Sequence, residues 1–288
     1  MSNINKALLM AVIALAVALI AVVLYFTVIA KTPTGKAATQ SSSQTGSLTS
    51  LLMEAFSDGV KLWFGLVCVY HNYGESAALS LMHLLYTIGY EYNVAYVQTG
   101  NATYEVVYPI IQYNYLTSKY PSCSVNYNMS YLVNYVASAG SNITIVQKYL
   151  GIPSSFMGTP LFLIYNRLNN ITYVVVGASP APFTALNYSR AGVTTVLTYQ
   201  GQELGYSFRA NATQVGFING LVSEGLGFGN PNANIVIIEL MDPTCPYCAV
   251  FDVQYGSELD SLVNNGTIYY VLLYFPTHIL GYYPGGIG

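Results

Sequence analysis

The sequence predicts an α/β protein: a membrane-spanning N-terminal helix, then two successive sheet-forming modules, the first carrying a helical insertion and the second only partial. Three observations carry this. Short apolar, β-branched runs alternate with segments of helical period. An apolar stretch with Thr27 as its one polar member fills residues 7–30. Asn234 to Phe251 reads N-I-V-I-I-E-L-M-D-P-T-C-P-Y-C-A-V-F, a buried strand passing through a polar turn into a helix that opens on two cysteines.

The apolar stretch from Ala7 to Ala30 lies between Lys6 and Lys31. At about 1.5 Å per residue it crosses a hydrocarbon core of roughly 30 Å. Val28-Ile29-Ala30 is a poor cleavage site, so an uncleaved anchor is expected over residues 1–31. Lysines flank both ends and do not orient it. Residues 32–50 are rich in Ser, Thr and Gln with almost no apolar content, the composition of a flexible tether.

The chain of 288 residues has room for two domains. Only 7% of residues are charged while 53% are hydrophobic, a figure that includes 28 tyrosines. A net charge of −3 supplies no basic field, which excludes nucleic-acid binding. A surface left to Tyr, Asn, Ser, Thr and Gly suits work outside the cytoplasm. Asn101, Asn128, Asn142, Asn170, Asn187, Asn211 and Asn265 each begin an N-x-S/T sequon, available for glycosylation if the body is exported.

Beyond the tether, Leu51 to Phe56 begins a short amphipathic helix. Leu62 to Tyr70 (L-W-F-G-L-V-C-V-Y) is expected as a buried strand, Glu75 to Tyr86 as a helix, and Tyr92 to Gln98 as a strand. Tyr104 to Leu150 is mostly helical. Strands follow at Leu161 to Tyr165 and Thr172 to Val176 around a turn at Asn169-Asn170, then a short helix near Phe183 to Asn187. Arg190 to Phe208 fits a hairpin turning at Gln200 to Gln202, and Asn211 to Gly225 a helix. After the cysteines the helix is expected to reach about Val263, with a last strand from Thr267 to Phe275.

The spacing of Cys245 and Cys248 carries chemistry. At the first turn of a helix, the Cys245 sulfur meets unpaired backbone N–H groups and the positive end of the helix dipole, which favours its thiolate. Cys248, three residues on, shares that face, so the pair can close a small disulfide that an incoming thiolate reopens. The redox-active cysteine pair needs no bound cofactor. A zinc site would need two further ligands, and neither a second C-x-x-C nor an H-x-x-x-H follows. Cys68 and Cys123 either pair as a structural bridge or leave Cys68 a buried free thiol. His71 and His83 each stand alone in sequence and are read as structural or solvated.

The run F-G-N-P-N-A-N-I-V-I-I-E-L-M-D-P-T-C-P-Y-C-A-V-F from Phe228, with F-P-T-H at Phe275 to His278, resembles the DsbA-like branch of the thioredoxin superfamily. The resemblance implies a thiol–disulfide oxidoreductase in which Cys245 attacks, Cys248 resolves, Pro246 and Tyr247 form the active-site turn, and Glu239 handles protons for the inner cysteine. L-G-I-P-S-S-F-M-G-T-P-L-F-L-I-Y-N at Leu150 to Asn166 resembles the same family, whose G-T-P places a cis-proline beside the active site; this implies a cis Thr159–Pro160 bond.

On this reading residues 51–190 form a first thioredoxin-like domain, 191–225 a connector, and 226–288 a partial DsbA-like domain. The first is expected to be redox-silent, because laying the dithiol turn over His71 to Ala78 puts Gly74 and Ala77 at the cysteine positions. The second lacks its helical region, cis-proline strand, partner strand and last helix. Alone it would leave a sheet edge unpaired and an apolar face bare. A truncated product is the favoured explanation, ahead of packing on the first module or completion by another chain. With the half-module packed on the first, Pro160 could lie far from Cys245.

The function expected is a single-pass, membrane-anchored, extracytoplasmic thiol–disulfide oxidoreductase. It would act on protein thiols or disulfides and be recharged by an unknown redox partner. The alternative is a non-catalytic surface or scaffold protein built on degenerate thioredoxin-like modules.

Overall fold

The strand that leads into the dithiol turn, Ile235–Met241, lies inside a sheet with every residue buried, as its apolar run predicts. The computed structural model describes residues 48–92, 97–99, 102–104 and 107–277. The anchor at 1–31, most of the tether, Asn101, and His278 with the residues after it lie outside the described residues. Among those described, no helix is long and apolar enough to cross a membrane.

The first half is mainly helical. Helix α1 spans Leu48–Tyr73 and α2 spans Glu75–Tyr92, broken at Gly74, whose φ of 92° is a conformation glycine adopts without strain. Among the described residues, the short strands β1 (Val97–Thr99) and β2 (Ala102–Tyr104) pair only with each other. Helices α3 (Val107–Lys119) and α4 (Met129–Leu150) follow; α4 begins at an Asn128 cap and ends at left-handed Gly151.

Strand β3 (Leu161–Asn166) and β4 (Ile171–Val176) make an antiparallel pair, and α5 (Ala181–Arg190) covers them. Strands β5 (Leu197–Tyr199) and β6 (Gln202–Arg209) form the expected hairpin, turning through Gln200 and Gly201 at positive φ. Helix α6 (Ala212–Glu224) opens with a capping box between Asn211 and Gln214. Then come β7 (Leu226–Gly229), β8 (Ile235–Met241), α7 (Pro246–Asn264) and β9 (Ile268–Tyr274).

Seven strands make one sheet in the order β5-β6-β4-β3-β8-β9-β7. Strand β8 runs parallel to β9 and antiparallel to β3, with Glu239 opposite Phe162 on one side and Leu272 on the other. The alternation of strand side chains divides the core. Ile235, Ile237 and Met241 join Phe162, Tyr270 and Tyr274 in a large cluster with α1, α2, α5 and α7. Val236, Ile238 and Leu240 join Leu161, Leu163 and Val271 in a second cluster, covered by the end of α4 and by α6. Glu239 shares the parity of Ile237 and Met241, and so the α7 face.

This architecture corrects the expected division. Residues 51–190 and 226–288 are not a dead module followed by half of another: β3 pairs directly with β8, and strands from both stretches share one sheet. The hundred or so residues expected after the last strand lie before the dithiol segment: a helical region, the proline strand β3, its partner β4 and the helix α5. Relative to the order implied by the resemblance, the chain is circularly permuted. The edge and apolar face that made a half-module untenable are both covered by the chain's own earlier residues.

Two local expectations also change. Residues 62–70 are not a strand but the middle of α1, with Leu62, Trp63, Leu66 and Val69 buried at helical spacing. Residues 71–78 therefore span a break between two helices and are no counterpart of the dithiol turn. Of the strand expected at 92–98, Tyr92 ends α2, residues 93–96 lie outside the described residues, and Val97–Thr99 is a strand outside the seven-stranded sheet.

Candidate active site: a dithiol beside a proline strand

Strand β8 ends at Met241, and the turn after it is built by one carboxylate. Oδ1 of Asp242 accepts from Thr244 N at 3.0 Å and from Thr244 Oγ1 at 2.7 Å, while the Asp242 carbonyl accepts from Cys245 N at 2.9 Å. Cys245 is thereby set at the N-cap of α7, with Pro246 in the first turn where no backbone donor is needed. Tyr247 is 66% exposed, while Cys248 turns inward and is fully buried.

The two cysteines are free thiols, and Cys245 lies against β3: its Sγ is 3.4 Å from the carbonyl oxygen of Thr159. The Thr159–Pro160 bond is cis. The Thr159 hydroxyl meets that of Thr277 at 2.6 Å, just beyond β9, and Phe275 N donates to Met241 O at 2.8 Å. The proline loop, dithiol turn and F-P-T segment thus form one assembly, so Pro160 is not remote from Cys245.

The two sulfurs differ electrostatically. The Cys248 thiol donates to Cys245 and lowers its pKa, an effect that burial opposes and the Thr159 side chain reinforces. Burial pushes Cys248 well up, and its hydrogen bond to Cys245 and the charge of Glu239 add to this. The outer sulfur is the readier thiolate.

Behind them Glu239, 3% exposed, accepts from the Tyr270 hydroxyl. Burial raises its carboxyl to about 8; the Tyr270 bond and the cationic His83 pull down, while Asp252 pushes up. Tyr86 and Tyr108 bring the helical region to the same place. Both are fully buried, both phenols feel the Cys248 charge, and the Tyr86 hydroxyl reaches the Asp242 carbonyl at 3.5 Å. Cys245 is accordingly only 4% exposed.

Sequence reasoning missed His83. It is not isolated: Nδ1 lies 2.5 Å from Asp252 Oδ1 and Nε2 lies 3.0 Å from Asp260 Oδ1. The signal was an Asp252–Gly256–Asp260 stripe at four-residue intervals. The other expected sites separate from the dithiol. Cys68 and Cys123 form a disulfide with Cα atoms 5.5 Å apart, tying α1 to the turn after α3. Asn128, Asn142, Asn170, Asn187, Asn211 and Asn265 are all exposed, as is His71.

Residues 222–283, which include β7, β8, α7 and β9, match the family model described as Thioredoxin. No curated protein and no solved structure matches the chain. The match supports a thioredoxin-superfamily domain that includes residues 222–283.

Proposed function

We propose that this chain is a DsbA-like thiol–disulfide oxidoreductase, anchored by its N-terminal segment with its body outside the cytoplasm, exchanging disulfides with protein substrates through Cys245 and Cys248. The observation that carries the reading is the Cys245 sulfur at a helix N-terminus, 3.4 Å from the Thr159 carbonyl beside the proline. The Cys245 thiolate attacks a substrate disulfide, whose S–S bond breaks to leave one substrate thiolate and a mixed disulfide. Cys248 gives its proton to the Glu239 carboxylate and attacks Cys245. The second substrate thiolate leaves, and the Cys245–Cys248 disulfide remains. Run backwards, the same steps oxidise a substrate dithiol. A membrane or soluble partner of thiol or disulfide class would reset the pair. The exposed sequons are candidate glycosylation sites of the exported body.

The rival reading, a non-catalytic surface or scaffold protein, draws on the burial of Cys245. Alkylation of the reduced chain at mildly acidic pH separates the two. An exchange enzyme reacts rapidly at Cys245 and turns over a peptide disulfide, and Cys245→Ser does neither; a scaffold shows slow alkylation and no turnover.

A further inference from the structure

Asp252, Gly256 and Asp260 stand one turn apart on α7 and form a single stripe. The His83 ring, delivered by α2, enters that stripe and faces a carboxylate with each nitrogen. Gly256 provides the notch: a Cβ there would sit 3.2 Å from both Asp252 Oδ1 and His83 Nδ1. Glycine inside a helix costs stability relative to alanine, and here the space it leaves is filled by the imidazole. Two acceptors call for two ring donors, so the arrangement is satisfied by the imidazolium. Asp252 is 8% exposed and lies one turn beyond fully buried Cys248. Asp260 and His83 border an open cleft of about 470 Å³, which gives solvent access to the outer end of the array.

We infer that Asp252 and His83 are positioning residues for the proton passed between Cys248 and Glu239: the His83 cation holds Asp252 charged inside the protein, and that carboxylate strengthens Glu239 as a base. The inference rests on the exchange function proposed above. The groups bearing on Glu239 are Tyr270 from β9, Asp252 and Cys245 from α7, and His83 from α2; its own charge acts in turn on Cys248 and Tyr86. Those bearing on His83 are Asp252 and Asp260; Glu75, two turns earlier on α2, lines the same cleft. Within the array Asp252 raises the proton affinity of Glu239 and His83 lowers it, so neutralising Asp252 alone should lower it. A base so strengthened takes the Cys248 proton more readily as the Cys248 sulfur bonds to Cys245 and the substrate sulfur departs with the electron pair of the broken S–S bond.

The test is carboxyl-carbon NMR of the full chain labelled at glutamate, with Glu239 assigned by the loss of its signal in Glu239→Gln. The wild-type midpoint is expected near 8, and Asp252→Asn should lower it by about one pH unit. An unmoved midpoint overturns the inference. In the wild-type protein itself, the His83 ring nitrogens should show an inflection at the Glu239 midpoint; its absence also overturns the inference, whether or not the variant folds. The pH profile of mixed-disulfide resolution should shift with the NMR midpoint. Active exchange with no such shift overturns this inference alone, whereas a wild-type chain with no exchange at all overturns the proposed function as well.

Discussion

The Cys245 sulfur and the Thr159 carbonyl oxygen are 3.4 Å apart although 86 residues separate them in the chain. Each belongs to a half that the sequence makes look deficient: the first lacks cysteines at the expected turn, and the second lacks a proline strand. Strands β3 and β8 join the halves, and the deficits cancel.

Each cysteine has a separate signature. Cys245→Ser should abolish exchange, a loss of at least about a hundredfold, because it removes the nucleophile. Cys248→Ser should still attack but accumulate the mixed disulfide, visible as a mass increase that a reductant reverses.

The pH dependence of stability follows from Glu239. Its folded pKa of about 8 lies above the 4.5 of an ordinary glutamate. Stability from the neutral buried acid is therefore full below about 4.5 and is lost as pH rises towards 8. His83 acts in the same direction at higher pH. Burial pulls its imidazole down, but Asp252 and Asp260 raise it to about 10, so its contribution is full below about 6.5 and lost as pH approaches 10. Urea titrations from pH 5 to 9 should show stability falling for wild type and falling less for Glu239→Gln, the curves diverging by a few kcal/mol at most. Parallel curves would mean that Glu239 titrates as an ordinary carboxyl.

The Cys68–Cys123 bridge spans 55 residues of helical chain. Its removal by Cys68→Ala with Cys123→Ala should cost up to about 4 kcal/mol by loop-closure entropy. Calorimetry reads that loss, while the alkylation rate of Cys245 should change little.

Gly89 controls how closely α2 and α3 approach. A Cβ at that position would lie 2.1 Å from Gln112 Nε2 and 2.3 Å from Tyr108 Cε2. Gly89→Ala should destabilise by about 1–3 kcal/mol. By displacing Tyr108 it should also quicken alkylation of Cys245, so protection and stability should fall together.

How much of this was legible depended on whether information was local. The turn at Asp242 to Cys248 combines a β-branched run, a side-chain-capped turn and an N1 proline, and its structure follows the reading closely. The hairpin turning at Gln200-Gly201 and the helix beginning at Asn211 were legible for the same reason. The run at 62–70 was not, because a continuous apolar stretch fits a buried helix as well as a buried strand. Nothing local states that Leu161–Asn166 pairs with Ile235–Met241. Yet both runs are buried along their whole length, the mark of interior strands that need a neighbour on each side. His83 was misread because its partners lie 169 and 177 residues away.

The permuted order has a consequence in time. Cys123 leaves the ribosome about 120 residues ahead of Cys245, so at about 5–20 residues per second the structural pair has a lead on the order of ten seconds. In an oxidising setting during synthesis, Cys68 and Cys123 are the first two thiols able to find each other, and they can be locked together before the reactive dithiol exists to compete for them. A chain that made its dithiol first would have to sort four thiols at once.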